Sequence, residues 1–304
     1  MSRLDIRLIP PSEPTDLSKS ISEVLKIEPT ETIIKKFANG ETYVNIVGNM
    51  RNKDVYILPV VGKHINDNLF ETYLKADAAK RMGAHKVIAI LPNFPYARQE
   101  RKVEDGEPIS ARLNMSLLHG SGVDEVITSD MHTAALQGFA RQMRIAEVSS
   151  LNVMKDYIQS LNLNMNNLVV VSPDLGGVKR ADKFGQVLGC ERAVIYKHRT
   201  AHNEAKAEFL LGDVQGKDCV IYDDLIDTAG TICEAAKKLK HKGANKIYIC
   251  ASHGLFNGKA LERIESAPIE EVIVSNSEPK PICSKLKQVD IAPIIVGAIL
   301  EISA

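Results

Sequence analysis

Short apolar runs alternate with amphipathic stretches along most of the chain. Val55-Tyr56-Ile57-Leu58-Pro59-Val60-Val61 reads as a buried strand. A helix is predicted over 66–82, with Leu69, Tyr73, Ala76 and Lys80 at helical spacing and Gly83 as the stop after it. Further strands are predicted at 86–91, 126–128, 168–171, 193–196, 219–222, 246–250 and 272–274, and further helices at 110–118, 179–188 and 231–242. Buried β runs alternating with helices predict an α/β protein with mostly parallel sheets flanked by helices. The pattern restarts midway, near the polar stretch 159–167, in which Leu161 and Leu163 argue against a free linker. We place an N-terminal domain over 1–147 and a C-terminal domain over 148–304.

Composition narrows the classes. Lys+Arg and Asp+Glu both number 38, so the formal net charge is zero. That removes the usual electrostatic case for nucleic acid or a membrane surface as partner. With no Trp and 5% aromatics, a base-stacking platform is not expected either. The longest apolar run, 291–302, contains Pro293 and Glu301 and falls short of the roughly 18 residues a membrane helix needs. Arg3, Asp5 and Arg7 give the first ten residues no secretory character. The five cysteines form no CxxC or Cys/His pairing, so reduced thiols and a cytoplasmic protein are expected.

The richest chemistry lies in Val220-Ile221-Tyr222-Asp223-Asp224-Leu225-Ile226-Asp227-Thr228-Ala229-Gly230-Thr231. An apolar strand ends in two acids, and a turn of small and hydroxyl residues opens a helix. Converging N–H groups at a helix N-terminus make a phosphate cradle, and the acids stand where sugar hydroxyls need acceptors. Gly230 is expected where a side chain would crowd the phosphate or force a poor backbone angle. The plain alternative is an N-capped helix with Asp227 or Thr228 as cap.

Other strand ends carry related signals. Pro173 and Gly176-Gly177 shape a turn around Asp174, placed to reach a metal, its water or a sugar. Asp130 and His132, two apart after a strand, can share a face and bind or orient a divalent ion; a purely structural histidine is the alternative. Arg98, Arg101 and Lys102 follow the aromatic turn Phe94-Pro95-Tyr96, which suits a polyphosphate with a stacked base, or else a solvated charge run. Phe37-Ala38-Asn39-Gly40-Glu41 reads alone as a turn. Lys197 and Arg199 lie on a segment able to close over a transferring phosphoryl group. Gly254-Leu255-Phe256-Asn257-Gly258-Lys259-Ala260 imitates a P-loop but is one residue short, with Ala260 where a magnesium-binding hydroxyl belongs.

In order along the chain, these strings resemble the ribose-phosphate diphosphokinase (phosphoribosyl pyrophosphate synthetase) family. The resemblance runs through Phe37 to Glu41, Asn66-Asp67-Asn68-Leu69, Phe94 to Gln99, Glu107 to Ala111, Asp130-Met131-His132, Ser172-Pro173-Asp174 with Gly176-Gly177, Lys197-His198-Arg199 and Asp223 to Thr231. The last string alone is shared with type I phosphoribosyltransferases. The Tyr96-Ala97-Arg98-Gln99 string and the Lys197/Arg199 pair separate the two.

The resemblance implies two duplicated phosphoribosyltransferase-like domains, ATP on the N-terminal side and ribose 5-phosphate on the C-terminal side. It implies transfer of the β,γ-diphosphoryl group of Mg-ATP to the 1-hydroxyl of ribose 5-phosphate, releasing AMP. Phe37, Asn39, Gly40, Glu41, Arg98 and Gln99 would hold ATP. Asp130, His132 and Asp174 would be associated with Mg2+. Lys197 and Arg199 would stabilise charge at the β-phosphorus. Arg199, Asp223, Asp224, Asp227, Thr228, Ala229, Gly230 and Thr231 would bind ribose 5-phosphate. A homo-oligomer is implied, dimer-based and compatible with a hexamer. A type I phosphoribosyltransferase and a non-catalytic regulatory relative are the alternatives. Two departures bear on regulation. Val103-Glu104-Asp105-Gly106 is acidic where many relatives are basic, and Ala135 replaces a common glutamine. The family's effector site takes phosphate or the diphosphate end of ADP. Activity without added phosphate, and ADP inhibition mainly competitive with ATP, are therefore expected.

Overall fold

In the computed structural model, residues 6–59, 62, 64–198 and 207–304 are described, apart from the side chains of 197, 198, 207 and 208. The chain divides into two compact units, 1–149 with 290–304, and 150–289. The boundary differs from the expected one in a specific way. The last fifteen residues group with the first unit, whereas the sequence reading put them in the C-terminal half.

The first unit is built from β1 (Ile6–Ile9), α1 (Asp16–Leu25), β2 (Thr32–Lys36), β3 (Thr42–Ile46), β4 (Asp54–Ile57), α2 (Ile65–Arg81), β5 (Lys86–Ile90), α3 (Ser110–Gly120), β6 (Glu125–Ser129), α4 (Ala135–Phe139) and β7 (Arg144–Val148). Its sheet has the order β1-β4-β5-β6-β7 with every pairing parallel. Strand alternation divides its core cleanly. Val55, Ile57, Val87 and Ala89 face Ala76 and Ala79 of α2 and Ala111, Met115 and Leu118 of α3. Tyr56, Leu58, Ile88 and Ile90 face Leu17 and Ile21 of α1. β2 and β3 form a separate antiparallel hairpin, which the sequence reading took only as a turn.

The second unit holds α5 (Leu151–Ser160), β8 (Leu168–Ser172), α6 (Val178–Leu188), β9 (Glu191–His198), β10 (Ala207–Leu211), β11 (Asp218–Ile226), α7 (Gly230–His241), β12 (Ile247–Gly254), α8 (Ala260–Ser266), β13 (Glu271–Ser275) and β14 (Leu286–Val289). The sheet order is β10-β9-β8-β11-β12-β13-β14, parallel except where β10 returns beside β9. From β8 the chain moves one way to β9, then crosses to the other side at β11. The strand order therefore reverses between β8 and β11, the place where open α/β sheets bind ligands. α9 (Ala292–Ile302) then returns to the first unit, burying Ile295 and Ile299 on the Tyr56 face. No helix among the described residues is long and apolar enough to cross a membrane.

Candidate active site

The loops after β8 and β11 flank the reversal of strand order. After β8, the Ser172 hydroxyl donates to Asp174 O at 2.7 Å, and Gly177 N–H donates to Asp174 Oδ1 at 2.9 Å. The turn folds back so closely that a Cβ on Gly177 would stand 3.0 Å from Ser172 Oγ. Glycine thus spares the Ser172 hydroxyl a tight contact, and the Asp174 carboxylate is held by an amide donor.

β11 continues through both acids to Ile226 instead of ending before them. Backbone pairing of Leu225 with His253 and of Ile226 with Gly254 carries it on, indifferent to side-chain polarity. Arg180 of α6 meets both carboxylates: its Nη2 lies 2.9 Å from Asp224 Oδ1 and 3.4 Å from Asp223 Oδ1. Asp224 N–H also donates to Asp223 Oδ1 at 2.9 Å. Burial first, and the neighbouring Asp224 second, hold the Asp223 carboxyl well above the usual carboxylate range.

The turn after β11 differs from the capped helix that was its plain alternative. The N-cap of α7 falls on Ala229, whose side chain has no acceptor, and not on Asp227 or Thr228. Ala229 sits at φ +58°, in the left-handed region, so the unusual backbone angle expected at Gly230 lies one residue earlier. A Cβ on Gly230 would meet nothing closer than Arg263 Nη1 at 3.8 Å and Thr228 Oγ1 at 3.9 Å. The turn is gripped from outside. Asn257 donates its N–H to Asp227 O and its Nδ2 to Asp227 Oδ1, both at 2.9 Å, and Arg263 Nη1 donates to Thr228 O at 2.7 Å.

In the first unit, the loops after β5 and β6 leave the same end of adjacent parallel strands. Arg98 and Gln99 are exposed on the first, which is braced from two helices. Tyr73 of α2 donates to Asn114 Oδ1 at 2.6 Å, and Asn114 Nδ2 donates to Pro95 O at 3.1 Å. Ser110 of α3 donates to Gln99 Oε1 at 2.6 Å. Tyr96, at φ +63°, donates its hydroxyl to Asn66 Oδ1. On the second loop, Asp130 sits at φ +42°, its Oδ1 accepting from the Ser149 hydroxyl at 3.1 Å, and His132 is exposed.

Phe37, Asn39, Gly40 and Glu41 form the tip of the hairpin. Gly40 is at φ +91°, and Glu41 N–H donates to Asn39 Oδ1 at 3.2 Å. The Phe37 ring is half exposed and edge-on to Tyr43 at 5.8 Å. Lys36 pairs with Asp67 at 2.6 Å. The hairpin and the Arg98 loop are therefore both tied to the first turn of α2, through Asp67 and Asn66.

Lys197 belongs to β9, paired with Glu208 of β10. Its side chain and all of Arg199 lie outside the described residues. No group of three His, Cys, Asp or Glu side chains forms a metal cage among the described residues. Sequence reasoning missed Arg180, Asn257 and Arg263 as site residues. Asn257 stands inside the string Gly254 to Ala260 and Arg180 in the predicted helix 179–188, whereas nothing local marks Arg263.

Two family models match the chain. The N-terminal domain of ribose phosphate pyrophosphokinase matches residues 6–122, and the phosphoribosyl synthetase-associated domain matches residues 206–304. The chain is 37% identical over 290 residues to a ribose-phosphate pyrophosphokinase of Clostridium acetobutylicum, covering 94% of this chain and 90% of the relative. Against the Aquifex aeolicus protein of the same name it is 38% identical over 299 residues, covering 98% and 96%. The crystal structure of a phosphoribosylpyrophosphate synthetase from Mycobacterium smegmatis matches with a TM-score of 0.91 at 33% identity, over 98% of this chain and 99% of that one. Identity above a third, sustained along nearly the whole length, joins the ordered strings and the loop geometry in a single assignment: the chain belongs to the ribose-phosphate pyrophosphokinase family.

Proposed function

We propose that this chain transfers the β,γ-diphosphoryl group of Mg-ATP to the 1-hydroxyl of ribose 5-phosphate, giving 5-phosphoribosyl 1-diphosphate and AMP. The observation that carries this reading is the paired loops at the strand reversal of the second unit. There Asp223 and Asp224 precede an uncapped helix start built of Asp227 to Thr231. The 5-phosphate accepts N–H groups at the start of α7 and the hydroxyls of Thr228 and Thr231. Asp223, with Asp224 behind it, accepts from the ribose hydroxyls. In the first unit, Arg98 and Gln99 bind the ATP phosphates, and the Phe37 ring with Asn39, Gly40 and Glu41 forms an adenine-side contact.

In the transfer, the oxygen of the 1-hydroxyl of ribose 5-phosphate forms a bond to the β-phosphorus and its proton is lost to water. The bond from that phosphorus to the oxygen bridging to the α-phosphate breaks, and AMP leaves. Both substrates are polyanions, so positioning and charge stabilisation dominate. Lys197 and Arg199 supply cations to the oxygens of the β-phosphoryl group.

Each unit, taken by itself, offers donors that suit magnesium: in the second, Asp174, with one oxygen held by the Gly177 amide, and in the first, Asp130, with one oxygen held by Ser149, and His132 two residues on. One or two carboxylates completed by substrate phosphates and water is the usual way a protein holds this ion. When bound, magnesium supplies neutralisation of the polyphosphate charge.

We place the enzyme in the cytoplasm as a homo-oligomer. Leu113 and Leu117, apolar and exposed one turn apart on α3, support a covered outer face. Pure protein incubated with Mg-ATP and ribose 5-phosphate should yield AMP and the diphosphate ester, resolved by anion-exchange chromatography. ADP as product would indicate an ordinary kinase, and no turnover a regulatory relative; either outcome overturns the proposal.

A further inference from the structure

The string from Gly254 to Ala260 is an incomplete P-loop in sequence, and the structure gives it a different task. β12 ends beside the end of β11, where Leu255 N–H donates to Ile226 O at 2.8 Å. Asn257 then takes both the carbonyl and the carboxylate of Asp227. One turn into α8, Arg263 reaches back and donates Nη1 to Thr228 O at 2.7 Å. Among the described residues it pairs with no carboxylate. The whole segment is a clasp on the outside of the Asp227–Thr231 turn.

The clasp has a directional consequence. In a trans peptide the C=O and the N–H point in opposite directions. Drawing Thr228 O toward Arg263 therefore turns the Ala229 N–H to the other side of the turn. The same peptide leads into Ala229, which holds a left-handed angle that costs an L-residue on the order of 1 kcal/mol. A charged donor on the carbonyl also polarises the peptide and strengthens its N–H as a donor. Charge, geometry and strain thus meet at one guanidinium.

We propose that Arg263 is the positioning residue of the sugar-phosphate turn: it holds the Thr228–Ala229 peptide so that the Ala229 N–H faces the ligand, and in this way sets the affinity for the 5-phosphate. The inference rests on reading Asp227 to Thr231 as the 5-phosphate site. Arg263 is exposed, so its replacement leaves no hole in the core.

Steady-state kinetics of the full-length enzyme test it. Arg263→Met keeps the aliphatic stem and removes the donor and the charge. It should raise the KM for ribose 5-phosphate about tenfold while the KM for ATP stays within about twofold. Arg263→Lys, whose ammonium can reach the same carbonyl, should recover part of the loss. Thr231→Val serves as the independent control on the site itself, because it removes a ligand hydroxyl without touching the clasp. A raised KM in Thr231→Val beside an unchanged KM in Arg263→Met would overturn the inference and leave the site standing. Unchanged values in both would place the phosphate elsewhere and bring down both readings. A parallel rise in both substrates' KM in Arg263→Met, with a lowered Tm, would make its role structural and overturn the inference as well.

Discussion

Asp223 stands on β11 one residue before Asp224, and both carboxylates face the guanidinium of Arg180. A carboxyl held above its ordinary range binds more protons folded than unfolded. Stability then falls as pH rises from the unfolded pKa through the folded one. Asp223→Asn should accordingly stabilise the ligand-free protein, on the order of 1 kcal/mol at about pH 8 and close to nothing at about pH 4. The same variant should lose affinity for ribose 5-phosphate, the usual conflict between stability and function at a binding carboxylate. Thermal melts across pH check the first part; a gain that is flat with pH would refute it. Lys197→Ala tests the chemistry rather than the binding. It should lower kcat about a hundredfold or more, with a smaller effect on ribose 5-phosphate affinity. Near wild-type kcat would remove Lys197 from its proposed role. Asp223 and Asp227 were legible because they stand together in one short string. Arg180, Asn257 and Arg263 were not, because each meets its partners across 30 to 44 residues of chain. Such contacts are products of strand order, and no local spacing encodes them.

At the scale of elements, the continuous apolar strands were the most legible. β5, β8 and β12 are buried along almost their whole length, and the apolar runs Val87 to Ile90, Leu168 to Val171 and Ile247 to Ala251 announce them. The β2–β3 hairpin escaped notice because most of its positions are exposed or half-exposed, and its pattern is too mixed to be read as a buried strand. The braces on the Arg98 loop were equally hidden: Tyr73 and Asn114 each look like ordinary helix positions until α2 and α3 pack side by side. The acidic loop that follows shows how an element can use up its own donors. The N–H groups of Val103 and Glu104 both go to Glu107 Oε2, at 2.7 and 3.1 Å, and Lys102 pairs with Asp105 at 3.4 Å. Amides and a cation that an effector anion would need are already engaged, and Glu104 and Asp105 add like charge. Enzyme assayed without inorganic phosphate should therefore be active, with ADP inhibition mainly competitive with ATP. A millimolar phosphate requirement with sigmoidal ADP inhibition would show that the loop serves an effector anion after all.

For the molecule as a whole, the return of the chain is the feature that local patterns could not disclose. The run 291–302 was legible as apolar and too short for a membrane, but its destination depends on which sheet face lacks a cover. That face belongs to the first unit, where Tyr56 donates its hydroxyl to Ile299 O at 3.1 Å and lies 2.7 Å from Ser303 Oγ. Ile291, Ile295 and Ile299 are all fully buried against it. Burying an isoleucine contributes roughly 1.5–3 kcal/mol. Losing all three would remove on the order of 5 kcal/mol or more, comparable to the full stability of an ordinary domain. A chain cut after Val289 should therefore lose cooperative structure in the first unit, although the cut lies more than a hundred residues beyond the boundary at 149/150. The second unit keeps both of its own core faces, formed by α5 and α6 on one side and α7 and α8 on the other, and should survive. Amide hydrogen exchange separates the two. Protection should collapse in β4 and β5 while persisting in β8 and β11. Equal protection of all four strands in the shortened chain would mean that α9 is an accessory to the first unit and not one wall of its core.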